Sequence, residues 1–411
     1  MTARRSPWRS AARPGWRDTL ARSPIASPRC GGVSSFWEHR ELLRRSVRVK
    51  TTQTRQPRPA QTPRARPVQT TPPRSDRLLG ALLGAAVGDA LGLPAEGLKP
   101  ATIARSFEPL DRYRLLGSVG LVSDDTEQSV LIATALCGET DDDVVVRRFR
   151  RSMVGWFWRL PFGIGLSTLR ACLKLSLGRS TSGVRSAGNG AAMRAPALGV
   201  ALAKEPERRR ALGRRLAEVT HTHPAGIDGA RFCAELAALC AQSDGSEMGT
   251  APSRWTAMRQ AALQMGDPQM VEAVCRAGEL AESGASPEEV RATLGTTGWV
   301  VHSVGICAWA FVAHEGMDAV RAVIRAGGDT DTHAAIVGAW IGALHGPDIL
   351  PRALVTNLQP GPFGRAHIEA LAAAVESDAP PPRFSATLAL LRNLSLYPVV
   401  IAHVLWRLVR R

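Results

Sequence analysis

From residue 76 onward, apolar positions recur mainly at helical spacing, and period-two alternation is scarce. Gly and Pro breaks divide this region into predicted helices at 125–137, 143–158, 166–176, 191–203, 207–219, 226–243, 253–265, 269–283, 287–294, 301–313, 316–326, 332–345, 365–376 and 385–393. The pattern predicts an all-α fold, a compact many-helix body. The run RLLGALLGAAVGDALGLPAEGL opens it, with Gly80, Gly84 and Gly88 four apart. These glycines form one helix face that a second helix can approach closely. Asp89 and the short apolar run argue against a membrane span.

Charge divides the chain more sharply than hydropathy does. Residues 1–75 hold sixteen arginines and one lysine against three acids, which is +14 of the whole chain's +16. The remainder is close to neutral, so the basic composition belongs to a tail and predicts no stable nucleic-acid complex. The tail is rich in Arg, Pro, Ser and Thr, and is expected to be disordered because it has little apolar surface to bury. Its composition is also that of a mitochondrial-type targeting peptide or of an overlong gene start, and it lacks the apolar segment of a secretory signal. The expected organisation is a tail over 1–75, a catalytic domain over 76–380 and an apolar helix within 381–411.

In that last segment, LSLYPVVIAHVLWRL is the longest apolar stretch, interrupted by Pro398, His403 and Arg407. It is read as a docking helix, with contact to a membrane surface as the alternative. Seven cysteines without framework spacing predict reduced thiols and a cytoplasmic location; Cys233 and Cys240 are read as core packing. The chain is expected to be a monomer.

Two segments carry candidate chemistry. Ser123-Asp124-Asp125-Thr126-Glu127 precedes an apolar run, and Asp124 with Glu127 has the spacing of a capping box. Gly327-Gly328-Asp329-Thr330-Asp331-Thr332 precedes a helix rich in small residues. Asp329 and Asp331 do not share a face within a regular helix, so they converge only where the chain enters it. Either segment alone reads equally as helix capping. Together they place four carboxylates and several hydroxyls at two buried helix starts, where they repel unless a cation neutralises them. A pair of Mg²⁺ or Mn²⁺ ions answers that requirement, because hard cations favour oxygen ligands.

SDDTEQ and GGDTDTHAAIVGA resemble the two metal-binding motifs of the ADP-ribosylglycohydrolase family. Three further segments resemble motifs of that family in its order: Gly88-Asp89-Ala90-Leu91-Gly92 with Pro94 and Glu96, Gly188-Asn189-Gly190-Ala191-Ala192-Met193-Arg194, and Thr220-His221-Thr222-His223-Pro224. The resemblance spans about residues 76–346. It implies an ADP-ribosylglycohydrolase-like catalytic domain that cleaves the glycosidic bond between ADP-ribose and an acceptor. The acceptor is a modified protein, a nucleic acid or a small molecule.

The resemblance also implies roles. Ser123, Asp124, Asp125, Asp329, Asp331 and Thr332 are the implied ligands of two Mg²⁺ or Mn²⁺ ions, and Ser123 stands where relatives have Thr or Ser. Glu96, Asp124, Asp125 and Asp329 are implied in catalysis, with Asp89 structural or a substrate contact. Gly188, Asn189, Gly190, Met193 and His221 are implied to hold the ADP-ribosyl group, with backbone amides of 188–191 at the diphosphate. His223 is a second candidate for the role of His221. An aromatic from Trp156-Phe157-Trp158 with Pro161-Phe162-Gly163-Ile164-Gly165 is a candidate against the adenine or the target side chain. Several relatives have an acid in the following loop, where this chain has Gly163; that departure weighs against an arginine-linked acceptor. The rival readings are a silent ADP-ribose-binding or structural relative, which loss of ligands would mark, and a hydrolase of another ADP-ribosyl compound.

Overall fold

A computed structural model describes residues 74–243 and 247–410; the tail expected to be disordered lies outside the described residues apart from its last two positions. Among the described residues the protein has seventeen α-helices, three short 3-10 turns and only isolated bridge pairs, so the all-α expectation holds.

Its axis is an antiparallel pair of helices, Arg74–Gly92 and Thr330–His345. Gly80, Gly84, Gly88 and Gly92 face Gly342, Gly338, Ala334 and Thr330 so closely that a Cβ on any of the four glycines would lie 2.1–2.4 Å from the facing carbonyl oxygen. Only glycine permits this backbone-to-backbone approach. Leu82, Leu83, Val87, Ile336, Val337 and Trp340 are buried on the same two helices. Thr330 Oγ1 donates to Gly92 O at 2.8 Å, fixing the start of one helix against the end of the other. This pairing sets the acids of the GGDTDT segment beside Asp89.

The helix Asp124–Leu136 is set by both its cap and its neighbour. Ser123 is its N-cap and accepts from Asp125 N at 3.3 Å. Asp89 caps it from the opening helix, its Oδ2 accepting from Ser123 N at 2.9 Å, Thr126 N at 3.2 Å and Thr126 Oγ1 at 2.6 Å. The capping-box spacing misleads here: the Glu127 carboxylate instead accepts from Trp156 Nε1 at 2.6 Å and pairs with Arg392. Asp89 thus ties the opening helix to the first acid segment through Oδ2, while its Oδ1 is buried without a hydrogen-bond partner.

Two predicted elements differ. The helix expected over 191–203 is a 3-10 turn Asn189–Ala191 followed by a short helix Ala195–Ala201, whose first turn holds Pro196. The C-terminal segment is one helix, Ala386–Arg410, running through Pro398. By length and composition Asp76–Ala95 and Ala386–Val409 are both apolar enough to cross a membrane, yet the first is 94% buried and the second only 17%. Leu388, Leu391, Ile401, Leu405 and Leu408 are exposed on the C-terminal helix. Six cysteines are free and buried, Cys233 and Cys240 among them; Cys30 lies outside the described residues.

Candidate active site

A cleft of about 480 Å³ opens where the two acid-bearing helix starts meet. Of the residues singled out from sequence, Glu96, Asp124, Asp125, Gly188, Asn189, Gly190, Met193, His221, Asp329, Asp331 and Thr332 all line it. Ser123 lies just behind, its Oγ 3.2 Å from Asp125 Oδ2.

The two segments meet directly. Asp125 Oδ2 accepts from Thr332 Oγ1 at 3.2 Å, across 207 residues of sequence. Ligand oxygens of Glu96, Asp329 and Asp331 lie within 4.8 Å of one another. Asp329 occupies the N-cap position of its helix but makes no side-chain capping bond; Asn189 Nδ2 donates to its Oδ2 at 2.6 Å instead. Asp124 accepts from Gln128 Nε2 at 2.9 Å. Helix capping thus fails to account for Asp124 or Asp329. Asp125 Oδ1 is buried with no hydrogen-bond partner, a costly arrangement for a carboxylate oxygen unless a cation meets it. The donor set is all oxygen, the chemistry of Mg²⁺ or Mn²⁺ sites.

Electrostatics point the same way. Burial first, then neighbouring carboxylates, hold Asp124, Asp125 and Asp331 well above the usual carboxylate range. Burial also pushes Asp89 up to about 6, against the hydrogen bonds from Thr126 and Ser123 that lower it. Such a cluster either takes up protons or takes up a cation.

Arg194, from the GNGAAMR segment, is a buried brace. It donates to Gln128 Oε1 at 2.7 Å, Gly190 O at 2.9 Å and Thr220 Oγ1 at 2.7 Å. It thereby joins the first acid helix, the glycine loop and the histidine motif. Burial, and then Arg194, drive His221 down to about 3, so its ring is neutral near pH 7. Thr220 Oγ1, which accepts from Arg194, also lies 2.8 Å from His221 Nδ1. The other ring nitrogen, Nε2, lies beside Gly188 and Gly190. His223 does not line the cleft and caps the helix Pro224–Gln242 by accepting from Ala225 N.

Two expectations are narrowed. Of the backbone amides of 188–191, Gly188 N donates to Ser186 Oγ and Asn189 N to Gly298 O, Ala191 is buried off the cleft, and Gly190 lines it. None of the four aromatics lines the cleft: Trp156 is fully buried on Glu127, Phe157 packs against the core, Phe162 is buried with Leu93, Leu121 and Leu396, and Trp158 is exposed with its Nε1 on Ser176. Sequence reasoning missed the loop Thr296-Thr297-Gly298, the stretch Leu166 to Thr168, and Ser303, which accepts from Asn189 Nδ2 at 2.9 Å. The only local signals were the glycines and hydroxyls themselves.

An all-helical body whose oxygen-rich cleft matches hard cations, with a glycine loop and a neutral histidine beside it, is the class the fold and site define. A family model described as ADP-ribosylglycohydrolase matches residues 70–383. An uncharacterised protein of Archaeoglobus fulgidus is 30% identical over 283 residues, covering 65% of this chain and 87% of its own. The ADP-ribosyl-(dinitrogen reductase) glycohydrolase of Rhodospirillum rubrum is 28% identical over 300 residues, covering 70% and 92%. A solved structure described as an ADP-ribosylglycohydrolase-related protein complex superposes with a TM-score of 0.57 at 26% identity, covering 74% of this chain and 99% of that one. The chain belongs to the ADP-ribosylglycohydrolase family. Membership supports glycohydrolase activity on ADP-ribosyl compounds.

Proposed function

We propose that this protein hydrolyses the glycosidic bond between ADP-ribose and an acceptor, using two Mg²⁺ or Mn²⁺ ions in the cleft described above. The observation that carries the proposal is Asp125: a buried carboxylate with one oxygen unpartnered, set among acids that do not cap their helices. Ser123, Asp124, Asp125, Asp329, Asp331 and Thr332 are the residues that would hold the ions. When bound, the ions supply Lewis acidity and a fixed positive charge at the ribose.

The chain's own groups do the rest. Asn189 holds Asp329 in one orientation through the 2.6 Å bond to its Oδ2. His221 Nε2 and the Gly190 amide face an anionic group such as the diphosphate. Positive charge develops at the anomeric carbon as the bond breaks, and the surrounding carboxylates favour it. Glu96, at the cleft edge, moves the proton between water and the departing acceptor.

The cleft wall Gly163, Gly165, Leu166, Ser167 and Thr168 contains no carboxylate to meet a guanidinium. Gly163 itself has φ +83°, where an L side chain is strained, and a Cβ there would lie 2.9 Å from Asp124 Oδ1. Neutral acceptors such as serine therefore rank ahead of arginine. The test is release of free ADP-ribose from serine-, arginine- and DNA-linked substrates, with Mg²⁺ or Mn²⁺ and with EDTA. Metal-dependent release supports the reading. No release from any substrate by metal-loaded protein refutes it, and arginine-linked release alone refutes the acceptor ranking.

A further inference from the structure

The helix Ala386–Arg410 lies beyond the family match at 70–383, yet it reaches the acid cluster. Arg407 Nη1 donates to Glu96 Oε2 at 2.8 Å, to Glu96 O at 2.9 Å and to Leu93 O at 3.4 Å. One turn earlier His403 Nε2 donates to Pro94 O at 2.8 Å. From the opposite side Gly97 N donates to Gly328 O at 2.7 Å, tying the same short turn to the second acid segment. The far end of the helix is anchored as well. Arg392 pairs with the buried Glu127, and Asn393 Nδ2 donates to Arg159 O at 2.7 Å.

The turn that carries Glu96 is thus clamped between the acid cluster and the C-terminal helix. Glu96 has reason to move without that clamp. Its carboxylate lies with those of Asp329 and Asp331, ligand oxygens within 4.8 Å, and like charges so close repel. Arg407 opposes the repulsion by holding one carboxylate oxygen, Oε2. All three contacts come from the single nitrogen Nη1, so one end of the guanidinium holds both the carboxylate and the backbone of its turn. The Arg407 side chain is 14% exposed against 42% for Glu96, so the cation is the better buried partner and the acid keeps its access to the cleft.

We propose that Arg407 is a positioning residue: it holds Glu96 at the rim of the acid cluster by Oε2 and makes the C-terminal helix a working part of the site. The inference rests on the glycohydrolase reading for its kinetic consequence and on geometry alone for the contact. The experiment is a double-mutant cycle in the full chain, with Arg407→Met and Glu96→Gln, and Arg407→Lys as the conservative variant that also serves if Arg407→Met lowers folding yield. Arg407→Met is expected to lower kcat about tenfold with KM within about twofold, and Arg407→Lys to recover part of the loss. In the Glu96→Gln background the same change is expected to cost less than about twofold, because the carboxylate it holds is gone. An equal loss in both backgrounds, or no loss in the parent, overturns the proposal.

Hydrogen–deuterium exchange of metal-free protein gives a readout independent of turnover. Arg407→Met is expected to raise exchange several-fold across residues 93–98 while 330–345 stays protected. Unchanged exchange at 93–98 overturns the clamp. Absence of any ADP-ribose release by the parent protein counts against the glycohydrolase reading, while the exchange result still decides the clamp.

Discussion

Asn189 donates to Asp329 at 2.6 Å and so ties the glycine loop to the second acid segment across 140 residues of sequence. The same amide donates to Ser303 Oγ at 2.9 Å, and Ser303 in turn meets His333 Nε2 at 3.1 Å. Asp329 therefore has its orientation set by a relay of neutral groups rather than by its own helix. Removing the relay should loosen the carboxylate without removing it. Asn189→Ala is expected to weaken Mn²⁺ binding or turnover about 10–100-fold, the usual scale for a residue that orients a metal ligand. Isothermal titration with Mn²⁺ checks this, and an affinity and rate equal to the parent's contradict it.

The central helix pair makes a prediction about stability. At Gly84 a Cβ would lie 2.1 Å from Gly338 O, and the obstacle is backbone rather than a movable side chain. Gly84→Ala is expected to cost about 3 kcal/mol or more, at the upper end of overpacking penalties. Gly155, inside the helix Asp142–Phe157, meets only the flexible end of Arg159 at 3.5 Å. Gly155→Ala is expected to stabilise by about 0.5–1 kcal/mol, through helix propensity and a less flexible unfolded chain. Urea midpoints of the two variants separate them; similar midpoints would mean that the helices are not packed backbone to backbone.

The pairing of these helices also shows how far sequence reasoning reached. The glycine face of the opening helix was legible, and so was the small-residue character of the helix after GGDTDT. That the two faces belong to each other was not, because helical spacing reports a face and not its partner. The acid segments were legible because their chemistry is local. Thr296 to Gly298, Ser303 and Arg407 were not, since each reaches the site only through contacts made by folding. The split of the expected 191–203 helix follows Pro196, which suits a first turn and not a helix interior.

The acid cluster predicts an unusual pH response for metal-free protein. Asp89 is pushed up to about 6, and Asp124, Asp125 and Asp331 lie well above the usual range, all chiefly by burial. Their values in the folded chain exceed those in the unfolded chain, so the protonated forms favour folding. The contribution is fully present below about pH 4 and is lost as pH rises through 6 and beyond. Added Mg²⁺ binds the deprotonated oxygens and reverses the loss. The rise in melting temperature on adding Mg²⁺ should therefore grow between about pH 5 and pH 8. Scanning fluorimetry with and without metal tests this, and a metal effect that is flat with pH contradicts it.

The central claim is that cleavage of the bond to ADP-ribose depends on ions held by the two acid segments. The most direct measurement is ADP-ribose release by EDTA-treated protein as Mg²⁺ or Mn²⁺ is restored, with Asp329→Asn beside the parent. The account predicts activity that returns with metal in the parent, a loss of more than about a hundredfold in Asp329→Asn, and an unchanged helical circular dichroism spectrum. Release that persists in EDTA, or an Asp329→Asn protein as active as the parent, would contradict it.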